Sequence, residues 1–156
     1  MCSPGSGQFN PSTLDVETVK LVHAERSNNN KQSQIVVEMQ IKEKHCNQLG
    51  NLHGGCAASL LDNITSIGLY FHTSGVFGDP WSLLGVSQSI NIQYLAPAPL
   101  GSWIDIETQV VAVGKTVSLM TCEIWTKDGP GKDAKRLVKT SIGTHTKIDN
   151  SYQAKM

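Results

Sequence analysis

The segment His53-Gly54-Gly55 is followed by Asp62, giving the spacing His-Gly-Gly-x-x-x-x-x-x-Asp. Two adjacent glycines stand where a loop becomes a helix, and a carboxylate then falls inside an apolar stretch. The first turn of a helix leaves its N–H groups without intrahelical partners and carries partial positive charge. Glycine there lets a ligand oxygen come close to the backbone, which suits a carbonyl that gains negative charge during reaction. Asp62 is flanked by Leu60, Leu61 and Ile64, where an ionised carboxylate is costly unless a site pairs or solvates it. The two halves read as an oxyanion-binding helix start (Gly54, with Gly55 beside it) and a general base or nucleophile, the parts of acyl transfer or hydrolysis. A flexible Gly-Gly turn and a carboxylate facing a polar gap are the bland alternatives.

The spacing also constrains assembly. Gly54 and Asp62 lie about 12 Å apart along a helix that rises 1.5 Å per residue. An attacking water must sit within hydrogen-bond reach of its base and close to the reacting carbon. A carbonyl held at Gly54 is too far from a water held by Asp62 of the same helix. The expectation is a site completed across a two-fold axis, Gly54 from one subunit and Asp62 from another.

Other residues are candidates of lesser weight. Ser87 lies on the polar parity of its strand and could hold the attacking water; no Gly-x-Ser-x-Gly elbow surrounds it, so it is not read as a triad nucleophile. Asn47 and His53 flank the loop before the helix and could supply an amide donor and its orienting partner, although a loop Asn is often only a turn residue. His45, Cys46, His53 and Cys56 lack structural-zinc spacing, and no metal is expected. Gly114-Lys115-Thr116 reads as a hairpin turn, because Gln109 stands where a phosphate loop needs Gly; Lys115 is a candidate for an anionic ligand.

Composition narrows the class. The chain has 156 residues, which favours one domain. Lys plus Arg number 13 and Asp plus Glu number 13, a net charge of zero, whereas nucleic-acid-binding domains carry a basic excess. No apolar run reaches the roughly 18 residues of a membrane span. Met1 to Ser12 is rich in Ser, Gly and Pro and holds no Lys or Arg; it reads as a disordered arm rather than a signal or transit peptide. Cys2, Cys46, Cys56 and Cys122 show no framework spacing and are expected as free thiols. The sequon Asn63-Ile64-Thr65 falls in the helix and is given no weight.

The elements that must hold these residues follow from periodicity. Strands are expected over 16–26, around Ile35, Val37, Met39 and Ile41, over 83–94, 103–113, 117–127 and 136–148. The second is expected to be half buried. A buried helix, apolar nearly all round, is expected over 54–72. Turns fall at 97–101, 114–115 and 128–131. One helix cannot cover both faces of six strands, so the expected architecture is α+β: an antiparallel sheet wrapped around that helix, its other face free for a partner.

The segments Asn47-Gln48-Leu49-Gly50-Asn51-Leu52-His53-Gly54-Gly55, Leu61-Asp62-Asn63, Gly85-Val86-Ser87 and Asn91-Ile92-Gln93-Tyr94-Leu95-Ala96-Pro97 resemble the hotdog-fold acyl-CoA thioesterases of the phenylacetate-degradation type, including the small eukaryotic branch. The resemblance covers about residues 16–148. It implies a hotdog domain over 15–149 between the arm (1–14) and a loose tail (150–156), and an acyl-CoA thioester hydrolase of lipid metabolism. By this resemblance Asp62 activates the water, Ser87 helps hold it, the Gly54 N–H and Asn47 amide polarise the thioester carbonyl, and His53 positions Asn47. Coenzyme A enters only as part of the substrate, with Gly55 and Lys115 as binding candidates and Lys135, Arg136 and Lys139 as further basic ones. No cofactor or metal is implied. The expected assembly is a homotetramer, a dimer of dimers with sites between subunits, with no nucleic-acid or membrane partner. Cytosol is the default location, with a mitochondrial one left open. The segment from Phe77 to Leu83, with Trp81, and the loop 128–132 depart from the short turns the resemblance implies. Two other classes fit the same features: a non-catalytic acyl-CoA-binding module and a hotdog enoyl-CoA hydratase or dehydratase.

Overall fold

The computed structural model describes residues 19–149 except residue 28. The expected arm, the start of the first strand (16–18), Cys2 and the tail (150–156) lie outside the described residues. The elements run β1 (Lys20–Arg26), β2 (Ser33–Gln40), α1 (Gly54–Gly68), β3 (Val86–Tyr94), β4 (Trp103–Val113), β5 (Val117–Lys127) and β6 (Arg136–Ile148). Two strands, one helix and four strands thus match the expected order. The strands form one antiparallel sheet in the order β1-β2-β4-β5-β6-β3, which leaves β1 and β3 as its edges.

The sheet curls around α1. Ile35, Val37 and Met39 share one parity of β2 and join Ile104 and Ile106 of β4 and Cys122 and Ile124 of β5. Against them α1 lays Cys56, Ala57, Leu60, Leu61 and Ile64. Truncating a buried Leu such as Leu60 to Ala costs about 2–5 kcal/mol in such cores. Close approach depends on missing side chains. A Cβ at Gly68 would come within 3.0 Å of Val110, and one at Gly143 of β6 would run into Leu61 and lie 2.5 Å from the Asn91 carbonyl. Cys46, Cys56 and Cys122 are buried free thiols.

Three expectations need correction. First, α1 proper stops at Gly68 and tightens into a 3₁₀ turn over Leu69–His72. Its circumference is not buried all round: Asn63, Ile67 and Tyr70 stand exposed on the side away from the sheet. Second, β2 is buried on both faces. Val36 and Glu38 are 8% and 1% exposed, because the loop after β5 folds over the outer face: the Glu38 carboxylate takes hydrogen bonds from Lys127 Nζ and the Gly131 N–H, both at 2.7 Å. Third, the strand expected from Leu83 begins only at Val86, and the residues before it form a plug. Trp81 is 2% exposed, packs with Leu69, Val110 and Met120 in a second small core, and donates its indole N–H to the Gly114 carbonyl at 2.9 Å. Its φ of 63° lies in the left-handed region that bulky residues rarely enter; the buried indole holds it there.

Candidate active site

The helix-start end of the candidate site begins with the cap of α1. His53 is extended at φ −66° and ψ 135°, and its Nδ1 accepts the Gly55 N–H at 2.9 Å. A ring nitrogen here does what Ser or Asp usually does at this position. The first helical hydrogen bond runs from the Ala57 N–H to the His53 carbonyl at 3.0 Å. The Gly55 N–H is therefore committed within the chain, whereas the Gly54 N–H meets no acceptor among the described residues. Tyr94 of β3 covers the other side of this turn: its hydroxyl donates to the Gly54 carbonyl at 2.7 Å. A Cβ on Gly54 would come within 3.2 Å of the Tyr94 ring.

Asn47 sits in the tight loop before the helix. Its side-chain oxygen accepts the Leu49 and Asn51 N–H groups at 2.9 and 3.2 Å. That occupies its oxygen and leaves the NH₂ end as the donor, an assignment made from the network. The loop is pinned in turn by Leu52 N–H to Ala98 O at 2.8 Å and by the Asn51–Pro99 bridge.

The carboxylate end lies two turns along the helix. Asp62 does not face a dry wall: its side chain is 44% exposed. Its Oδ1 lies 3.3 Å from Ser87 Oγ and 3.6 Å from Nε2 of His145. Ser87 gets there through an irregularity. β3 pairs Ser87 with Lys147 but Ser89 with Thr146, so one residue is extra between them. Such a bulge flips the side chains beyond it to the other face. Ser87 thereby leaves the outward parity of Ser89 and Asn91 and turns in toward α1.

His145 is the site residue that sequence reasoning missed. Its side chain is fully buried, with Nδ1 2.7 Å from Thr65 Oγ1 and Nε2 2.9 Å from Ser87 Oγ. Thr65 donates its own proton to the Leu61 carbonyl at 2.6 Å. It therefore accepts from His145 Nδ1–H, which makes Nε2 the acceptor for the Ser87 hydroxyl. Burial pushes the His145 pKa below its ordinary value and Lys147 adds to this, while Asp62 opposes both; the imidazole is neutral near pH 7. The signal in the sequence was parity: Ser141, Gly143, His145 and Lys147 alternate on β6, and a His among small inward residues has to find partners inside.

The remaining candidates separate. Lys115 is exposed in the β4–β5 turn, beside the Gly114 carbonyl that Trp81 holds. Arg136 and Lys139 are engaged elsewhere: Arg136 pairs with Asp105 and Glu107, Lys139 pairs with Glu123, and both lie over Trp125. Among the described residues no cluster of His, Cys, Asp and Glu could hold a metal ion. A cleft of about 230 Å³ opens near β1, lined by Glu25, Ser33, Gln34 and Gln109, and shares no residue with the cluster around Asp62.

With this geometry in view, comparison with known proteins gives a consistent answer. The Thioesterase superfamily model matches residues 49–131. Acyl-coenzyme A thioesterase 13 of Homo sapiens is 37% identical over 93 residues, 60% of this chain and 61% of that protein; the match thus spans less than two thirds of that relative. The crystal structure of thioesterase superfamily member 2 from Mus musculus superposes with a TM-score of 0.66 at 31% identity, covering 85% of this chain and 83% of that one. A Streptococcus pneumoniae thioesterase solved with coenzyme A shares the fold at a TM-score of 0.64 and 21% identity, covering 86% and 90% of the two chains. The sheet wrapped around one helix is a hotdog fold, and the chain belongs to the thioesterase superfamily.

Proposed function

We propose that this protein hydrolyses acyl-CoA thioesters to the free acid and coenzyme A, with Asp62 as the base. The observation that carries this is the cluster of Asp62, Ser87 and His145 at an open edge of the sheet. With neutral His145 taking the Ser87 proton, the Ser87 oxygen and the Asp62 carboxylate both present lone pairs. A water that donates one hydrogen to each turns its own lone pair outward. Asp62 takes the proton as the water attacks the thioester carbon. The Gly54 N–H and the Asn47 NH₂ stabilise the oxyanion, and the thiolate of coenzyme A leaves. His53 holds the helix start that carries Gly54. Gly55 then acts through the cap, and Lys115 is the candidate for the coenzyme A phosphates. The coenzyme A held by the Streptococcus pneumoniae relative supports that ligand class.

Gly54 and Asp62 of one chain are two helix turns apart, so the site needs a second copy. The two sheet edges support this. β1 carries Lys20, His23, Glu25 and Arg26, the charges that keep an edge from pairing. β3 carries no charge, and Val86, Ile90 and Tyr94 are exposed along it. Antiparallel self-pairing of β3 about its midpoint, Ile90, sets Tyr94 opposite Val86 of the partner subunit. Since Tyr94 touches Gly54 and Ser87 touches Asp62, that pairing brings Gly54 toward Asp62 of the partner subunit. The assembly proposed is a homotetramer built from such dimers. No helix is long and apolar enough to cross a membrane among the described residues, and a cytosolic site of action is the reading adopted.

The test is thiol release from a panel of acyl-CoAs by native protein and by Asp62→Asn. Release by the native protein with a loss of about 10²–10⁴-fold in the variant is expected for a general base. Unchanged release in the variant overturns the role of Asp62, and no release from the native protein favours a binding module. One observation favours a second reading: a His beside an acid, His145 with Asp62, is the pair an enoyl-CoA hydratase uses. Against it, His145 is fully buried behind Ser87 and cannot touch substrate. Product analysis with an enoyl-CoA separates the two.

A further inference from the structure

Trp81 takes no part in the chemistry proposed above, yet an unusual stretch of backbone is built around it. Trp81, Leu84 and Gly85 lie at φ 63°, 56° and 64°. Residues with side chains enter this region only where their surroundings over-determine it. The indole packs with Leu69, Val110 and Met120 and donates its N–H to the Gly114 carbonyl at 2.9 Å. The Trp81 carbonyl accepts the Leu84 N–H at 2.9 Å, which closes the turn. The edge of the ring then lies against Gly85: a Cβ there would sit 2.9 Å from it and 2.5 Å from the Ile148 carbonyl oxygen. Gly85 is thus held between the indole and β6. Ile148 is itself fixed, since it pairs with Val117 of β5 and the next N–H, that of Asp149, reaches the Thr116 carbonyl at 2.9 Å.

This wedge ends where β3 begins. Val86 pairs with Ile148 and Ser87 with Lys147, but beyond Gln88 the register changes, with Ser89 opposite Thr146 and Ile90 opposite His145. Continued unbroken to the start of the strand, the later register would set Gln88 opposite Lys147 and Ser87 opposite Ile148. Side chains alternate along a strand, and Ile92, on the parity of Gln88, packs against the core under α1. Gln88 would then take the inward place, and Ser87 would face out with Ser89 and Asn91. A regular ladder is the default, because a bulge leaves its extra residue unpaired. The first two pairs must be held out of step, and the wedge acts on the residue just before them. We infer that Trp81 is a positioning residue for hydrolysis: its indole, hung from Gly114, presses Gly85 to Ile148 and so keeps the bulge that delivers the Ser87 hydroxyl, not the Gln88 amide, to His145 and Asp62. Ser87 Oγ then lies 2.9 Å from His145 Nε2 and 3.3 Å from Asp62 Oδ1.

The inference rests on the proposed hydrolysis for its kinetic consequence but not for the strand register. The experiment compares native protein, Trp81→Leu and Trp81→Phe by crystal structure and by thiol release from an acyl-CoA. In Trp81→Leu the expected structure sets Gln88 opposite Lys147 and takes Ser87 out of hydrogen-bond reach of His145. Its kcat falls about 10–100-fold, as for a displaced water, with KM changed less than about threefold. Deleting Gln88 from Trp81→Leu is the rescue. With no extra residue the ladder runs regularly with Ser87 facing in, and most of the lost kcat returns. A role in stability alone gives no such recovery. Should Trp81→Leu not fold, Trp81→Phe, which keeps a ring but lacks the N–H that hangs it from Gly114, shows the same loss of the bulge with a smaller fall in kcat. A bulge left intact in the folded variant overturns the inference, and so does a fall in kcat that deletion of Gln88 leaves unchanged. A lost bulge with unchanged thiol release overturns the role of Trp81 in hydrolysis and that of Ser87 with it. A native protein that releases no thiol sinks the proposed hydrolysis and leaves the register to decide this one.

Discussion

The two faces of the sheet each carry a cluster of charged side chains, and the two are built on opposite plans. On the outer face Lys127 Nζ lies 2.7 Å from Glu38 and 2.8 Å from Asp105, and Arg136 bridges Asp105 and Glu107. Burial alone would raise the pKa values of Glu38 and Glu107, yet Lys127 and Arg136 outweigh it and both carboxyls fall below their ordinary range. Lys127 and Arg136 are shifted up for the matching reason, their acids overcoming desolvation. Each group is held more firmly in its charged form. On the inner face the shifts run the other way. Burial lowers both His145 and Lys147 toward neutrality, and Asp62, half in solvent, reaches its neighbours only at 3.3 and 3.6 Å. A network whose charges are paired with one another has little capacity left for a substrate. An under-paired one, with its acceptors pointing at open space, has more.

The contrast is sharpest for single substitutions. Asp62→Asn should remove about 10²–10⁴-fold in kcat while the unfolding midpoint stays within the range of a surface change. Glu38→Gln should do the reverse. Removing one of the two carboxylates that hold buried Lys127 costs about 1–3 kcal/mol in chemical denaturation, with kcat per folded molecule unchanged. A Glu38 variant that loses activity but not stability would erase the distinction between the two clusters.

His145→Gln sharpens the inner side. It keeps hydrogen-bonding capacity but loses the ring that fixes the Ser87 proton, and a drop in kcat of about 10–100-fold with little change in KM is expected for a displaced water. Equal loss in KM and kcat would instead indicate a collapsed pocket. A charge on the bare edge is the next test. Ile90→Lys should shift the protein to monomer in sedimentation and abolish hydrolysis together, because β3 carries the proposed two-fold. An active monomer would break the link between edge and site.

Acid titration gives the smallest effect and a difference in pH window. The folded pKa of His145 is below 6.5, so the unfolded chain binds the proton first. Its burial therefore costs stability progressively as pH falls below about 6.5, and His145→Gln should flatten that slope. The folded pKa of Glu38 is below 4.5. Its stabilisation is complete above that value and fades as pH falls through the folded one. Two stages of acid destabilisation, the first weakened in the His145 variant, are the expected outcome of denaturation measured across pH.

Local periodicity was enough for most of the architecture. The alternation in 103–113, 117–127 and 136–148 marked β4, β5 and β6 at their observed limits, because period-two burial is written into adjacent residues. The His-Gly-Gly segment marked the helix start for the same kind of reason: capping and first-turn donors are short-range. Asp62 stood out as a carboxylate in an apolar run. What no window along the chain could show is which groups meet across it. Glu38 and Lys127 are 89 positions apart, and their pairing buries a β2 face that alternation had assigned to solvent.

Ser87 makes the division plain. Its type and its place in a strand were legible in the sequence, but its parity put it with Ser89 and Asn91, facing away from the helix. The extra residue between Ser87 and Ser89 in the pairing with β6 reverses that, and only the register of two strands nearly sixty positions apart decides it. Sequence by itself determined the folding units and singled out the Asp62 carboxylate, since those depend on neighbours along the chain. The tertiary structure decided that Ser87 and His145 meet that carboxylate, since strand register and burial are properties of the packed sheet.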